Sequence, residues 1–390
     1  MNCCVVGGGP AGMMLGYLLA RAGVEVTVIE KHADFFRDFR GDTIHPATID
    51  LMAELGLLEE FMALPHTEVP ELSIGVDGKV YGLVDFSRLP TRCRFMAFMP
   101  QWDFLTFLAE KAKQYPNFHL SMSSEATDLL WRGDTVTGVR LGDRSITADL
   151  TVACDGRFSV LRETSGLPVR EFPMPVDVLW FRVPRRLGAT PTLGYLGGGQ
   201  IVLAIDRGEY WQCGAIIGKG TMGQVREAGL DAFRDSIAGA APFLAEPLAT
   251  LVDWEQVKLL SVRANRLQRW YCPGLLCIGD AAHAMSPVGA AGVNYAIADA
   301  VATANALVTP LRTGTLTTAD LHRVQRRRAP AVRTAQTLQR QQTANLVRLA
   351  GSRPPLGLIR AIDKLPPVKH LLGRLIGLGI RREHIRFEQA

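Results

Sequence analysis

The chain opens on a short apolar, β-favouring run at residues 2–6, and a glycine cluster follows at once. Residues 11–22 then favour helix, with Leu15, Leu18 and Leu19 at helical spacing, and Gly23 supplies the stop. A second β run covers 24–30, so the first thirty residues read as a βαβ unit. Residues 48–64 are helical in pattern, with Ile49, Met52, Leu55 and Leu58 on one face. The segment 71–86 alternates as strands do, and 102–115 returns to helix. Short strands fill 129–152, broken by the turn dipeptides Gly133-Asp134 and Gly142-Asp143. From 176 to 262 the pattern is strand-rich and glycine-rich. Within it, 200–205 and 210–217 fit an antiparallel sheet, and a helix interrupts near 230–237. An apolar strand at 274–278 precedes long helices at 293–307 and 319–349, the second with a break expected at Pro330.

This order predicts an α/β protein. A Rossmann-type nucleotide-binding domain is expected from 1–70, 100–172 and 263–310. A strand-rich domain from 71–99 and 173–262 is inserted into it, and 311–390 form a helical C-terminal region. With 390 residues, 47% of them apolar, a large core is available, and 21% charged residues argue against long disorder. No apolar run approaches the roughly 20 residues that cross a bilayer. The N-terminal run lacks a basic leader and reads as a strand rather than a signal peptide. Seven cysteines, an odd number with no C-x-x-C pair, argue against a disulfide framework and against zinc. They fit buried, reduced thiols in a cytoplasmic protein, and no metal site is expected.

Charge is unevenly spread. Residues 321–390 hold 15 Lys and Arg against 3 Asp and Glu, a net +12, so the first 320 residues carry 5 − 12 = −7. No aromatic residue interleaves with the basic part of the long helix, which argues against nucleic-acid binding. Residues 371–380 are apolar and lie among Lys369, Arg374, Arg381 and Arg382. This reads as a helix packed on the protein with a solvated basic face, peripheral membrane contact being the alternative.

Gly7, Gly9 and Gly12, with Pro10 and Ala11 between them, supply G-x-G-x-x-G after a strand and at the start of a helix. Glycines there permit a tight turn and close approach of the backbone to a pyrophosphate, while the helix end offers free N–H groups. Glu30 closes the second strand 18 residues after Gly12, followed by Lys31. A carboxylate at that place accepts ribose hydroxyls and disfavours a 2′-phosphate, so FAD or NAD fits better than NADP.

Two later stretches narrow the choice. One is Val-Ala-Cys-Asp-Gly-Arg-Phe-Ser at 152–159, with Arg162 after it. The other is Gly-Asp-Ala-Ala-His-Ala-Met-Ser-Pro at 279–287, continuing through Gly289, Gly292, Val293 and Asn294 to Asp299. With the N-terminal fingerprint, the set resembles the class A flavoprotein aromatic hydroxylases, the group around p-hydroxybenzoate hydroxylase. The resemblance implies a glutathione reductase-like FAD domain. Asp280 would hold the flavin's ribityl chain, and Pro287 with 289–294 would lie beside the isoalloxazine. Asp155 and Gly156 match a motif tied to both FAD and NAD(P)H, with Arg162 as its arginine. Arg40 would stand near the pyrophosphate, Gly41 and Asp42 near the ring, and Gln101 near the ribityl and phosphate region.

The implied chemistry is that of the cofactor: NADPH or NADH reduces FAD, O2 adds at C4a, and the flavin C4a-hydroperoxide passes one oxygen to an aromatic or quinone-like substrate. The protein supplies orientation and a dry chamber, which agrees with the absence of any nucleophilic triad. Where many relatives read Gly-Gln-Gly, this chain has Gly289-Ala290-Ala291-Gly292, which puts loop shape in doubt. His283 reads as structural and so does Asp299. His45 is the one weak catalytic candidate, with packing the more ordinary role. Trp180, Tyr195, Tyr210 and Trp211 are candidate pocket residues, with ordinary sheet packing the favoured reading of each. Other readings are a flavin-dependent halogenase or reductase on the same fold, or a non-catalytic protein that binds FAD and an intermediate. The halogenase motif Trp-x-Trp-x-Ile-Pro is not found.

Overall fold

A computed structural model of the chain describes residues 1–36, 43–185, 194–350 and 355–388. Strand β1 (Asn2–Val6), helix α1 (Pro10–Arg21) and strand β2 (Glu25–Ile29) form the expected βαβ unit. Both strands join a six-stranded sheet whose order is Tyr271–Cys272, Leu275–Cys277, Leu150–Ala153, β1, β2, Phe118–Ser121. All its pairings are parallel except that of the Tyr271–Cys272 edge. Val5 sits between Val28 and Val152 in register. These strands are apolar on both faces because helices cover both, as parallel sheets require. Helix α1 is buried from Ala11 to Ala20, packed between the sheet and the helix Gly292–Thr313. Gly16 allows that approach: a Cβ there would lie 2.5 Å from Val28 Cγ2.

The second sheet has seven strands, in the order Lys258–Leu260, Val176–Pro184, Tyr210–Gly218, Gln200–Asp206, Gly194–Gly197, Glu71–Val76, Lys79–Asp85. It is antiparallel except where Gly194–Gly197 runs parallel to Glu71–Val76. Period two sorts its side chains: along Val176–Pro184, Leu179, Phe181 and Val183 enter one core, and Val178 and Trp180 enter another. The first core is capped by the helix Leu230–Ala240. The second includes Phe86, Met96 and Phe98. Strand Met96–Phe98 also pairs with Thr43–Ile44 and Thr67–Val69, so it connects this sheet to the nucleotide-binding half.

Two helices differ from their sequence patterns. The 48–64 pattern forms two helices, Pro46–Glu54 and Leu58–Met62, because the chain turns at Gly56 with φ of 75°. The helix Thr318–Ala350 runs through Pro330 without the expected break. Proline removes the N–H that would bond the carbonyl of Arg326. Both residues are exposed, so solvent can take that carbonyl, while Val324, Ala331 and Val332 hold the helix through its buried face.

At the C-terminal end, Leu356–Asp363 and Pro366–Leu378 pack on strand Lys79–Asp85. Contact is close at Gly373, where a Cβ would stand 2.0 Å from the carbonyl oxygen of Asp85. Leu371 and Leu375 remain exposed on the outer face. No helix among the described residues is long and apolar enough to cross a membrane.

Candidate functional site

Four loops meet at the carboxyl ends of the parallel strands, where open α/β sheets place their ligands. They follow β1, β2, Leu150–Ala153 and Leu275–Cys277, and they carry Gly7–Gly9, Glu30, Asp155–Gly156 and Gly279–Asp280. The sequence reading named all four, and the fold brings them together.

The first loop is set by sterics. Gly7 has φ of 106°, and a Cβ on it would approach Cys154 O to 2.4 Å; one on Gly12 would stand 1.9 Å from Gly7 O. Helix α1 then begins with Pro10 at its first position, no side-chain cap and no acidic residue in its first turn. Its unclaimed N–H groups and positive dipole end suit a pyrophosphate. Glu30, nearly buried, accepts from Gly8 N–H at 2.8 Å and from His32 N–H at 3.0 Å, which fixes the carboxylate beside the glycine turn. Lys31 is exposed and ion-paired with Glu125 at 3.9 Å.

The third and fourth loops are stapled to each other. Asp155 accepts from Ser159 Oγ at 2.5 Å and from Leu161 N–H at 3.2 Å, shaping the turn at Gly156, whose φ is 85°. Burial pushes the Asp155 carboxyl above its ordinary range, against those two donors. Arg162 donates to Arg157 O at 2.8 Å and to Ala281 O at 3.1 Å, joining one motif turn to the other. Arg157 also reaches Asp280 Oδ2 at 3.5 Å.

Behind the fourth loop lies a buried charge network. Asp299, wholly buried, accepts from Gly279 N–H at 3.0 Å, His283 Nε2 at 2.6 Å and Arg328 Nε at 2.8 Å. Burial alone would raise its pKa, but His283 and Arg328 hold it below the usual carboxylate range. Glu383 takes Arg328 Nη1 at 3.2 Å and Arg327 Nε at 2.8 Å. His283 is enclosed between Asp299 and the Trp270 ring, 4.9 Å away, which is a structural role. The sequence showed Arg328 only as one of the basic residues of the long helix, with no local signal to mark it as buried.

The segment 287–294 forms a tight turn and then the start of helix Gly292–Thr313. Gly289 has φ of 78°, and Ala290 has φ of 50°, an uncommon value for a residue with a side chain. Two polar groups hold that conformation. Thr43 Oγ1 donates to Ala290 O at 3.1 Å, and Asn294 Nδ2 donates to Thr43 O at 3.1 Å and Ala290 O at 3.4 Å. Asn294 Oδ1 accepts from His45 N–H and Thr48 Oγ1, both at 2.8 Å. Asn294 is thus fully engaged in clasping the loop to residues 43–48. Thr43 and Thr48 went unnoticed in the sequence because this clasp joins positions 246 to 251 residues apart. His45 is buried, with Nδ1 2.9 Å from Ile376 O, and burial lowers its pKa to about 4. Its ring lines a cavity of about 100 Å³ shared with Asn294, Tyr295 and Ile376.

Gln101 opens the helix Gln101–Ala112 and is partly exposed. Arg40, Gly41 and Asp42 lie outside the described residues. Of the candidate pocket aromatics, Trp180 belongs to the core shared with Met96 and Phe98, on the side joined to the nucleotide-binding half. Tyr195 and Trp211 pack against Phe243 on the opposite face, away from that half. Tyr210 is partly exposed beneath the Arg182 guanidinium.

The residues fit an FAD. Among the described residues, no atom beyond the chain neighbours and the local helix backbone lies within 4 Å of where a Cβ would stand on Gly9, Gly156, Gly289 or Gly292, so each loop leaves space along its backbone. The uncapped end of α1 fits the pyrophosphate, and Asp280, still partly accessible, fits hydroxyls.

Comparison with known proteins agrees. A family model described as an FAD binding domain matches residues 1–338. The chain is 30% identical over 384 residues to 6-methylpretetramide 4-monooxygenase of Streptomyces rimosus, covering 96% of this chain and 91% of that one. Its fold is similar to that of Pseudomonas aeruginosa PqsL, solved with 2-aminobenzoylacetate, at TM-score 0.77 and 22% identity over 90% of this chain and 98% of that one. It is similar also to OxyS, the anhydrotetracycline hydroxylase of Streptomyces rimosus, at TM-score 0.76 and 20% identity over 98% and 77%. The chain belongs to the FAD binding domain family and, within it, is an FAD-dependent monooxygenase of the class A aromatic hydroxylases.

Proposed function

We propose that this monooxygenase hydroxylates an extended, electron-rich aromatic or quinone-like molecule, held between the 287–294 loop and the seven-stranded sheet. The observation that carries this reading is the apolar face that the sheet turns toward the nucleotide-binding half, with Trp180, Val178 and Ile205 in one core with Met96 and Phe98. An apolar wall there suits a flat ring system better than a small charged substrate. The names of the relatives agree, since they include 6-methylpretetramide 4-monooxygenase and 12-dehydrotetracycline 5-monooxygenase/anhydrotetracycline 6-monooxygenase.

When bound, FAD supplies the redox chemistry, taking reducing equivalents from NAD(P)H and using O2 to deliver one oxygen atom. The chain's residues bind and orient. Gly7, Gly9, Pro10, Ala11 and Gly12 receive the pyrophosphate at the start of α1. Glu30 takes the adenosine ribose, and the Lys31 backbone follows it past the same sugar. Gln101, Asp155, Gly156 and Asp280 face the ribityl and phosphate region. Gly289, Gly292 and Val293 present backbone N–H groups to the isoalloxazine, where a helix start favours negative charge, and Pro287, which has no N–H, shapes the turn beside it. Asn294 serves this edge by holding the loop. The enzyme works in the cytoplasm.

The test is a visible spectrum of the purified protein, anaerobic reduction by NADPH and by NADH, then isotopically heavy O2 with polycyclic phenols. The expected result is an oxidised-flavin spectrum bleached by nucleotide and one heavy oxygen atom in the product. Nucleotide oxidation that yields only hydrogen peroxide with every phenol offered would overturn the substrate class.

A further inference from the structure

Part of the basic excess in the C-terminal region is neutralised within the chain: Arg327 and Arg328 by Glu383 and Asp299, and Arg323 by Asp320. Arg326, Arg333 and Arg340 form no ion pair among the described residues. They recur every seven residues along helix Thr318–Ala350, two turns at a time, and so share one face. That face lies over a two-stranded ribbon, Val169–Phe172 paired with Ala264–Leu267. The contact is direct, since Arg266 Nη1 donates to Gln336 Oε1 at 2.9 Å.

The ribbon adds two more guanidinium groups. Its register sets Arg170 directly opposite Arg266, a pairing of like charges that destabilises a bare sheet. Phe172, two residues along the same face, carries three cations around its ring: Arg170 and Arg266 at 5.3 Å and Arg340 at 4.9 Å from the centroid. The nearest acid in sequence, Glu171, is turned to the other face, where Asn265 Nδ2 donates to it at 3.0 Å. Burial, with Arg333, Arg170 and Arg340 around it, pushes the Arg266 pKa down. Three of these guanidinium groups ring Phe172 and Arg333 lies close to Arg266, and among the described residues none of the four forms an ion pair.

The ribbon is also part of the cofactor's surroundings. Leu267 N–H donates to Ala282 O at 2.8 Å, and Gln336 Nε2 donates to Ala284 O at 3.0 Å, just beyond Asp280. The guanidinium fork matches phosphate oxygens two at a time, and several forks match a doubly charged group better than a carboxylate.

We propose that Arg170, Arg266, Arg333 and Arg340 form a phosphate-recognition site, and that its ligand is the phosphorylated part of the nicotinamide nucleotide, the 2′-phosphate making NADPH the preferred reductant. The nucleotide assignment rests on the monooxygenase reading; the phosphate site does not.

Binding measurements keep the two apart. NADP⁺, NAD⁺ and inorganic pyrophosphate are titrated calorimetrically into the FAD-loaded protein at low salt, with no turnover required. The parent should bind NADP⁺ at least tenfold more tightly than NAD⁺. An Arg266→Gln/Arg340→Gln double variant should lose that preference and its pyrophosphate binding, yet keep its flavin and melt no lower than the parent, because repulsion is relieved. Arg326→Gln, on the same helix face but away from Phe172, should change neither. If the double variant fails to fold, Arg340→Gln alone, at an exposed position, serves in its place. Pyrophosphate and NADP⁺ affinities equal in parent and variant would overturn the proposal. Loss of pyrophosphate binding with NADP⁺ unchanged would sustain the phosphate site and overturn the nucleotide assignment.

Discussion

The two sheets meet different demands with different tolerances. In the six-stranded sheet, function sits at the strand ends, in turns where backbone must approach backbone. In the seven-stranded sheet, the surface proposed for the substrate is a face, where any side chain of suitable size and polarity serves. The first kind of site is written in particular residues, the second only in a pattern. The difference appears in glycine. A Cβ on Gly12 would meet Gly7 O at 1.9 Å, whereas on Gly194, in the second sheet, the nearest atom would be a Leu203 methyl at 3.8 Å.

That contrast can be broken by matched substitutions. Gly12→Ala should abolish FAD retention, leaving a colourless or insoluble protein, while Gly194→Ala should keep a parent-like ratio of flavin to protein absorbance. Equal flavin content in the two variants would show that the turns tolerate more than their geometry implies. The next largest effect is expected at Asp299→Asn. Removing one partner of a buried charge network costs about 3–5 kcal/mol, read as a fall in the urea midpoint. An unchanged midpoint would mean that Glu383 alone satisfies Arg328.

Acid should separate the regions further. His45 titrates near 4 in the folded protein because of burial, below the ordinary value of about 6.5. Between those values the unfolded chain binds more protons, so stability rises with pH across pH 4–6.5, by up to about 3 kcal/mol in total. His45→Gln should flatten that slope. In the second sheet, burial would raise the Asp177 pKa, but Lys219 at 2.7 Å and two backbone N–H groups hold it below the usual range. Its contribution is present above the unfolded carboxyl value of about 3.9 and fades as pH falls through the lower folded value. A slope between pH 4 and 6.5 that persists in His45→Gln would move the source elsewhere. Lys31→Ala should change least, by under about 0.5 kcal/mol, since its partner Glu125 is as exposed as Lys31 itself.

How much of this was readable from the chain follows the same division. Gly7, Gly12, Glu30 and the 152–159 and 279–287 motifs were legible because each turn's geometry is dictated within a few residues. The clasp of Asn294 on Thr43 was not, since nothing in either neighbourhood records a partner 251 residues away. Arg328 looked like its neighbours Arg326 and Arg327 until the fold enclosed it. Alternation told that Tyr195 and Trp211 were sheet residues. It could not tell which face turns toward the nucleotide-binding half, because period two fixes the division into faces and not their destination. Pro330 misled for the opposite reason: local backbone chemistry announced a break, and packing of the buried side outweighed it.

The tie from Glu383 through Arg328 and Asp299 to Gly279 also has a meaning in time. A ribosome delivers Gly279 about a hundred residues before the last carboxylate of the network. Until then Arg328 has one of its two counter-charges, and the loop that carries Asp280 lacks its final brace. A chain truncated before residue 383 should therefore keep its nucleotide fold but hold FAD more loosely, read as a lower flavin content after gel filtration than in the longer chain.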